Sequence, residues 1–125
     1  MHQKEQRPWG NYTVVNKGQG FKVKTVEVLP HRKLSLQRHK FRSEHWVVVR
    51  GKAKITVGEQ IKYLEENQST YIPKECIHRL ENPYDEVLEI VEVQCGQYLK
   101  EDDIERLEDD FGREYIYDSQ NIKKG

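Results

Sequence analysis

Residues 37–46 read QRHKFRSEHW, and a further histidine, His78, follows later in the chain. Gln37 and His39 are two positions apart, so on an extended strand both side chains leave the same face. Glu44 follows after a gap that suffices for a tight turn into the next strand. Together these residues offer imidazole, carboxylate and amide oxygen donors, a set that suits a divalent transition metal. If all of them point into one cavity, the stretch predicts a metal site with room for a substrate.

The strand that carries Gln37 and His39 can be oriented in two ways. Parity places Ser35 with these two residues on a polar face and puts Leu34 and Leu36 on the opposite face. In one arrangement the leucines form the core and the polar face meets solvent. In the other, the polar face lines a cavity and the leucines lie beneath another chain or an arm of the same chain. The pattern leaves both arrangements open.

Length and composition limit the class of protein. A chain of 125 residues predicts one domain with a single core. Lys and Arg total 21 and Asp and Glu total 21, so the formal net charge is zero. The charges are interleaved, as on a solvated surface, and no basic stripe of the kind that binds nucleic acid is visible. We therefore expect no nucleic-acid partner.

The sequence predicts a cytoplasmic protein with no membrane partner. No apolar run approaches the ~18 residues that span a bilayer. Residues 1–7 lack the hydrophobic region of a secretory signal. Cys76 and Cys95 are accordingly expected as free thiols in a reducing compartment rather than as a disulfide.

Most of the chain reads as short strands separated by turn residues, which predicts an all-β fold of the antiparallel sandwich or barrel type. The predicted strands cover residues 11–16, 21–29, 34–39, 44–50, 52–57, 61–64, 69–73 and 87–94. Within 21–29 the apolar positions change phase between Val23 and Val26, which indicates a bulge or bend.

One helix is predicted near the end of the chain. Residues 101–103 are acidic and precede Ile104, Leu107 and Phe111 at helical spacing, with Gly112 as a stop. The predicted organisation is a single domain over 1–125, with an N-terminal arm over about 1–20, a barrel over about 21–98 and a helical tail over about 99–125.

The segment 71–83, YIPKECIHRLENP, supplies a second motif around His78, and here the chain resembles a cupin. The first cupin motif, G-x5-H-x-H-x3,4-E-x6-G, is matched by Gln37, His39, Glu44 and Gly51. The second, G-x5-P-x-G-x2-H-x3-N, is matched by Pro73, His78 and Asn82, while Asn67 and Glu75 stand where the motif has glycines. The resemblance implies a double-stranded β-helix, or jelly-roll barrel, in which Gln37, His39, Glu44 and His78 face inward on a metal.

A closer resemblance links the chain to one cupin subgroup, the cupin domain of type II mannose-6-phosphate isomerases. Members of this subgroup are often fused behind a mannose-1-phosphate guanylyltransferase domain and carry Gln at the first ligand position. The resemblance runs from about Arg7 to Arg113 and includes the segments RPWGNY (7–12), KVK (22–24), LSLQRH (34–39), RSEHWVV (42–48), YIP (71–73), HRLENP (78–83) and EDDI (101–104). No glycine-rich nucleotide loop precedes the cupin, so guanylyltransferase activity is not expected.

The resemblance implies interconversion of mannose 6-phosphate and fructose 6-phosphate through an enediol, with a divalent metal acting as Lewis acid. Three or four protein ligands leave a position open for substrate, and zinc is the expected ion, with other first-row divalent ions as alternatives. A non-catalytic metal- and sugar-binding cupin that partners a separate nucleotidyltransferase is the alternative function. A cupin dioxygenase is disfavoured by Gln37, because such sites more often use three histidines and a glutamate.

Cations are needed to bind the substrate phosphate. Arg42 is the first candidate, both catalytic and substrate-binding, because it lies between two ligands and guanidinium binds phosphate bidentately. Lys24 and Lys33 are further candidates, although each could face water, just as Arg42 could be a solvated turn residue. Tyr71 could line the pocket or belong to the core.

Glu92 is the candidate catalytic base. It shares a strand face with Gln94, and burial of that face would raise the pKa of Glu92. The alternative turns this face outward and places Val91 and Val93 in the core. A homodimer is also expected, because Leu34, Leu36 and the N-terminal aromatic residues Trp9 and Tyr12 need cover.

Overall fold

The computed structural model of the chain describes residues 2–111, and this part is all-β. It contains twelve strands and no helix. The all-β class that the strand-turn pattern predicts is confirmed. The strands are β1 (Lys4–Arg7), β2 (Gly10–Gly18), β3 (Phe21–Val28), β4 (Arg32–Lys33), β5 (Leu36–Arg38), β6 (Arg42–Arg50), β7 (Ala53–Val57), β8 (Gln60–Leu64), β9 (Ser69–Ile72), β10 (His78–Asn82), β11 (Leu88–Gly96) and β12 (Glu105–Glu108).

The strands form two antiparallel sheets. The first has the order β1-β2-β3-β11-β6-β9, and the second has the order β12-β5-β10-β7-β8 with β4 also paired to β10. One core cluster joins both sheets: Val26, Val48 and Ile90 come from the first sheet, and Ile55 and Leu80 come from the second. The apolar inner faces therefore pack against each other and exclude water from the centre.

The inner face of the first sheet is apolar at one end and polar at the other. On β11, Leu88 and Ile90 are buried at one end and Glu92 and Gln94 at the other. The register pairs Glu92 with Lys24 of β3 and with Trp46 of β6, so all of these side chains leave the same face. A polar cavity is thus built at one end of the sheet by strands that are far apart in sequence.

The predicted helix is absent from residues 101–111, and Gly112 lies outside the described residues. A turn at residues 101–102 is followed by β12, in which Arg106 is paired with Gln37. The Asp103 carboxylate accepts the backbone N–H groups of Lys40 and Phe41 at 2.9 and 3.0 Å, so it anchors a second segment instead of capping a helix. Pairing with β5 supplies the backbone hydrogen bonds that a helix would otherwise provide.

The predicted arm belongs to the first sheet and its aromatic residues belong to the core. Trp9 and Tyr12 are buried within this chain, and Leu34 lines the cavity instead of facing outward. Leu36 is half-buried where β5 pairs with β12. Because the chain itself covers these side chains, they no longer argue for a second copy, and the homodimer stays a prediction.

The bulge predicted in β3 lies in its neighbour. β3 pairs with β11 without interruption from Phe21 to Val28, whereas the register of β2 shifts between Val14 and Asn16. The inward positions of β3 therefore keep a strict two-residue period and include Lys24 as well as Val26. Regularity in β3 is what brings a lysine into the cavity.

The residues that replace motif glycines adopt the glycine conformation. Asn67 has φ 74° and Glu75 has φ 63°, both in the left-handed region. The N–H of Glu75 donates to the carbonyl oxygen of His39 at 2.7 Å. The turn that leads into β10 is therefore kept despite the strain of a side chain at positive φ.

We expect Gly51→Ala to lower the free energy of unfolding by about 2–3 kcal/mol. Alanine is strained at the positive φ of this position, and its methyl group would also clash with neighbouring backbone. Gly51 has φ +83°, and a Cβ would lie 2.7 Å from the carbonyl oxygen of Val87. Gly58 has φ +60° but its Cβ would meet only Cys76 Sγ at 3.8 Å, so Gly58→Ala should cost about 1 kcal/mol. Urea unfolding measures both, and equal losses would contradict the steric argument.

Across residues 2–111, no helix has the length and apolar character needed to cross a membrane.

Candidate metal centre

Two histidines and a glutamate converge at the polar end of the inner faces. Glu44 lies on β6 of the first sheet, His78 begins β10 of the second, and His39 follows β5 directly. One ligand atom from each lies within 4.8 Å of the others. Their side chains are 2–3% exposed. This separation lets one ion contact all three.

Each imidazole is oriented by a backbone carbonyl. His39 Nδ1 donates to the carbonyl oxygen of Asp103 at 2.7 Å, and His78 Nδ1 donates to that of Cys76 at 2.9 Å. These bonds select the tautomer with a lone pair on Nε2, the atom that can bind a metal. His39 therefore depends on the segment before β12 for its orientation.

The electrostatics of the cluster favour neutral histidines beside an ionised glutamate. Burial lowers the pKa of His39 to about 4 and also lowers the pKa of His78. Burial by itself would raise the pKa of Glu44, but Arg42 and the two histidines outweigh it and keep that pKa well below its ordinary value. Neutral imidazole and carboxylate are the protonation states that metal binding requires.

Gln37 is available as a fourth donor. It is paired with His78 across the β5–β10 ladder and lines the same cavity. Its Nε2 donates to Ser35 Oγ at 2.7 Å, which directs the amide nitrogen to the wall and leaves the amide oxygen as an acceptor.

Arg42 uses the same acceptor atoms that a metal would use. Its Nε donates to Glu44 Oε2 at 2.7 Å and its Nη2 to His39 Nε2 at 3.2 Å, while Glu44 Oε1 accepts from Trp46 Nε1 at 2.7 Å. Arg42 Nη1 is buried and has no hydrogen-bond partner among residues 2–111. A cation thus already sits against the carboxylate and one imidazole. The donor set therefore fits a divalent ion, whose binding would require the guanidinium to move.

Glu92 faces the cavity, so the alternative with Val91 and Val93 in the core is wrong. Its side chain is 8% exposed, and Gln94 Nε2 donates to Glu92 Oε2 at 2.6 Å. Burial and then the charge on Glu44 raise the pKa of Glu92 to about 7. A carboxylate with that pKa can exchange a proton near neutral pH.

Lys24 also faces the cavity, but Lys33 and Tyr71 do not. Lys24 is 4% exposed, and its Nζ lies 2.7 Å from Glu101 Oε2. Lys33 is outside the cavity, 3.8 Å from Asp110 Oδ1. Tyr71 is exposed on the outer face, with its ring centroid 4.7 Å from that of His45. Odd-numbered positions of β6, and the partners of those positions on β9, face away from the cavity.

The sequence pattern does not single out several residues that line the cavity. They include Arg7, Tyr12, Trp46, Glu101 and Arg106. The two-residue period that continues from Val26 back to Lys24 is a usable signal for β3. Glu101 lies between strands, where periodicity gives no direction for a side chain.

Comparisons with known proteins identify the family of the chain. A family model described as Mannose-6-phosphate isomerase C-terminal matches residues 1–109. The xanthan biosynthesis protein XanB of Xanthomonas campestris is 54% identical over 112 residues, which is 90% of this chain and 24% of that protein. The mannose-1-phosphate guanylyltransferase ManC of Salmonella typhimurium is 47% identical over 113 residues, again 90% of this chain and 24% of that protein. The chain thus spans about a quarter of the length of these curated relatives.

The fold is shared with solved structures of low sequence identity. Oxalate decarboxylase from Bacillus subtilis superimposes with a TM-score of 0.76 at 17% identity, covering 85% of this chain and 30% of that chain. Several other matching structures are described as cupin or double-stranded β-helix domains. The fold is therefore that of a cupin, and the chain belongs to the mannose-6-phosphate isomerase C-terminal family.

Proposed function

We propose that the protein is a metal-dependent isomerase that interconverts mannose 6-phosphate and fructose 6-phosphate. The observation that carries the proposal is the placement of buried Glu92 in the same cavity as the His39, Glu44 and His78 donor set. An aldose–ketose isomerisation moves a proton between adjacent carbons, so it needs a base and stabilisation of negative charge on oxygen. The family match supports the same reaction.

The metal site would consist of His39, Glu44 and His78, with Gln37 as a fourth donor. Zinc is the ion we propose first, since imidazole and carboxylate donors suit it, although other first-row divalent ions accept the same set. Bound there, the ion would supply Lewis-acid polarisation of sugar oxygens.

Glu92 is the proposed base. A raised pKa keeps a carboxyl near the midpoint of its titration at neutral pH, where it can both accept and return a proton. Gln94 holds one of its oxygens by a hydrogen bond, which limits the positions from which the other can reach a substrate carbon.

Arg42 and Lys24 are the proposed contacts to the anionic parts of the substrate. Arg42 Nη1 has a buried N–H that lacks an acceptor within the described part of the chain, and a sugar oxygen or phosphate oxygen would provide one. The cavity lining carries a majority of cations, which are Arg7, Lys24, Arg42 and Arg106 against Glu44, Glu92 and Glu101. This balance favours an anionic ligand.

The alternative is a non-catalytic metal- and sugar-binding cupin that partners a separate nucleotidyltransferase. The observation that favours it is that the relative ManC is named a mannose-1-phosphate guanylyltransferase, of which the chain spans only 24%. Such a module would bind a sugar phosphate in the same cavity without turnover.

A coupled assay separates the two functions. We expect the metal-loaded protein to convert fructose 6-phosphate to mannose 6-phosphate. Chelation should remove roughly 95% or more of the rate, and adding a divalent ion back should restore it. Mannose 6-phosphate formed is quantified through a linked dehydrogenase. Full metal occupancy and sugar-phosphate binding by calorimetry without turnover would exclude the isomerase and support the binding module.

A further inference from the structure

The segment between β11 and β12 lies against the polar end of the cavity and is tied to it by lysines of β3. Lys22 Nζ donates to the carbonyl oxygen of Leu99 at 2.6 Å, and Lys24 Nζ donates to Glu101 Oε2 at 2.7 Å. Lys22 Nζ also lies 3.6 Å from the same Glu101 oxygen. One carboxylate oxygen therefore faces two ammonium groups.

Lys24 and Glu101 differ in how firmly the structure holds them. Lys24 is buried on a central strand, and its Nζ lies 4.1 Å from the ring centroid of Tyr12, where a cation–π contact holds it. Glu101 is half exposed, at 46%, and is not part of a strand. Lys24 is thus a fixed part of the cavity wall, with Lys22 beside it at 3.6 Å from the same Glu101 oxygen, whereas the Glu101 carboxylate is on the solvent side.

Glu101 is held as an anion in this position. Burial would raise its pKa, but Lys24, Arg42 and Lys22 outweigh burial and lower it below the ordinary value. The cations thus select a negatively charged oxygen. A phosphate monoester carries more charge and more acceptor oxygens than a carboxylate, so it would compete for the same donors.

We propose that Lys22 and Lys24 form the seat for the phosphate group of the ligand, and that Glu101 occupies this seat when no ligand is bound. This inference rests on the proposed function in that the ligand is a sugar phosphate. It makes Glu101 a specificity-determining residue. A neutral sugar forms no interaction that compensates for loss of the Glu101–Lys24 ion pair, whereas a phosphate group forms a new ion pair with Lys24. Anionic sugars are selected as a result.

The test measures binding of inorganic phosphate to the chelated full chain by calorimetry, so that phosphate cannot bind through a metal. Glu101→Gln removes the internal competitor and should tighten phosphate binding roughly tenfold. Asp102→Asn is the matched control, since Asp102 accepts from Tyr98 at 2.6 Å and is absent from the cavity lining, and it should leave the affinity unchanged. Binding of fructose, which lacks phosphate, should not tighten in Glu101→Gln.

Loss of the seat gives the opposite result. Lys24→Met should weaken phosphate binding by roughly tenfold or more. Lys33 does not line the cavity, so Lys33→Met should leave phosphate binding unchanged. In the double variant, Glu101→Gln should no longer tighten binding, because its effect acts through Lys24. Circular dichroism establishes that each variant is folded before its affinity is compared.

The inference is overturned if Glu101→Gln binds phosphate no more tightly than the wild type, or if Lys24→Met and Lys33→Met weaken binding equally. These outcomes are independent of turnover. If the protein has no isomerase activity but shows the Glu101 and Lys24 effects, the proposed reaction is wrong and the proposed phosphate site stands. An active isomerase without these effects would retain the reaction and refute the seat.

Discussion

Glu44→Gln is expected to remove both metal binding and isomerase activity, with a fall in kcat/KM of about 10³-fold or more. The substitution replaces the one anionic donor of the cluster by a neutral amide of similar shape. Lewis-acid catalysis stabilises the transition state by several kcal/mol, and each ~1.4 kcal/mol of lost stabilisation lowers the rate tenfold. Metal content is measured by elemental analysis after dialysis, and activity by the coupled assay.

Glu105→Gln is the matched control for this variant. Glu105 is also a buried carboxylate in an ion pair with an arginine, with Arg38 Nε 2.6 Å from Glu105 Oε1, but it lies on β12 and does not line the cavity. It should lose some stability and keep its metal. Glu44 also accepts hydrogen bonds from Arg42 and Trp46, so loss of metal in Glu44→Gln can result from local unfolding instead of a lost donor. His78→Gln is therefore the second variant. Normal metal content in both folded cavity variants would contradict the metal centre.

Glu92→Gln should lower kcat about 10²- to 10⁴-fold and leave metal affinity within a few-fold of the wild type. The amide cannot accept the carbon-bound proton, yet it fits the same buried position beside Gln94. Glu89→Gln is the control on the same strand: Glu89 lies on the opposite face, 3.7 Å from Arg50 Nε, and its replacement should leave kcat unchanged. A Glu92→Gln protein with wild-type kcat would exclude Glu92 as the base.

The pH profile gives a second measure of Glu92. Its pKa is raised to about 7, so kcat/KM of the wild type should rise as pH increases through about 7, where the carboxyl loses its proton. The folded protein holds this proton more tightly than the unfolded chain. Its contribution to stability is therefore fully present below pH 4.5, the ordinary pKa, and is lost as pH rises through about 7. Glu92→Gln should show neither the rise in rate nor this loss of stability.

The strand content of the fold was accessible from the sequence because alternation and turn residues act locally. The one predicted helix shows the limit of that argument. The spacing of Ile104, Leu107 and Phe111 fits a helix, but the neighbouring edge of β5 offers backbone partners, and Asp103 is used to bind Lys40 and Phe41. Edge pairing with a distant segment thus overrides a local pattern.

The site shows the same division. The candidate donors could be listed from residue type, and the two-residue separation of Gln37 and His39 predicts a common face. Which face points inward was left open by the pattern and was indicated only by the family resemblance. Which of the candidate substrate contacts line the cavity could not be predicted from residue type. Lys24 and Lys33 are equivalent in composition, but only Lys24 occupies an inward position of its strand.

Residue types and their periodicity determine the all-β class and the list of candidate donors, whereas the family was indicated by the resemblance of whole motifs to those of known cupins. Which side chains meet in the cavity was decided only by tertiary structure. The β11 register sets Glu92 between Lys24 and Trp46, and the segment before β12 brings Glu101 to Lys24 and Asp103 to His39. The physical reason is that a strand has two faces, and pairing with strands far away in sequence selects the face that is buried.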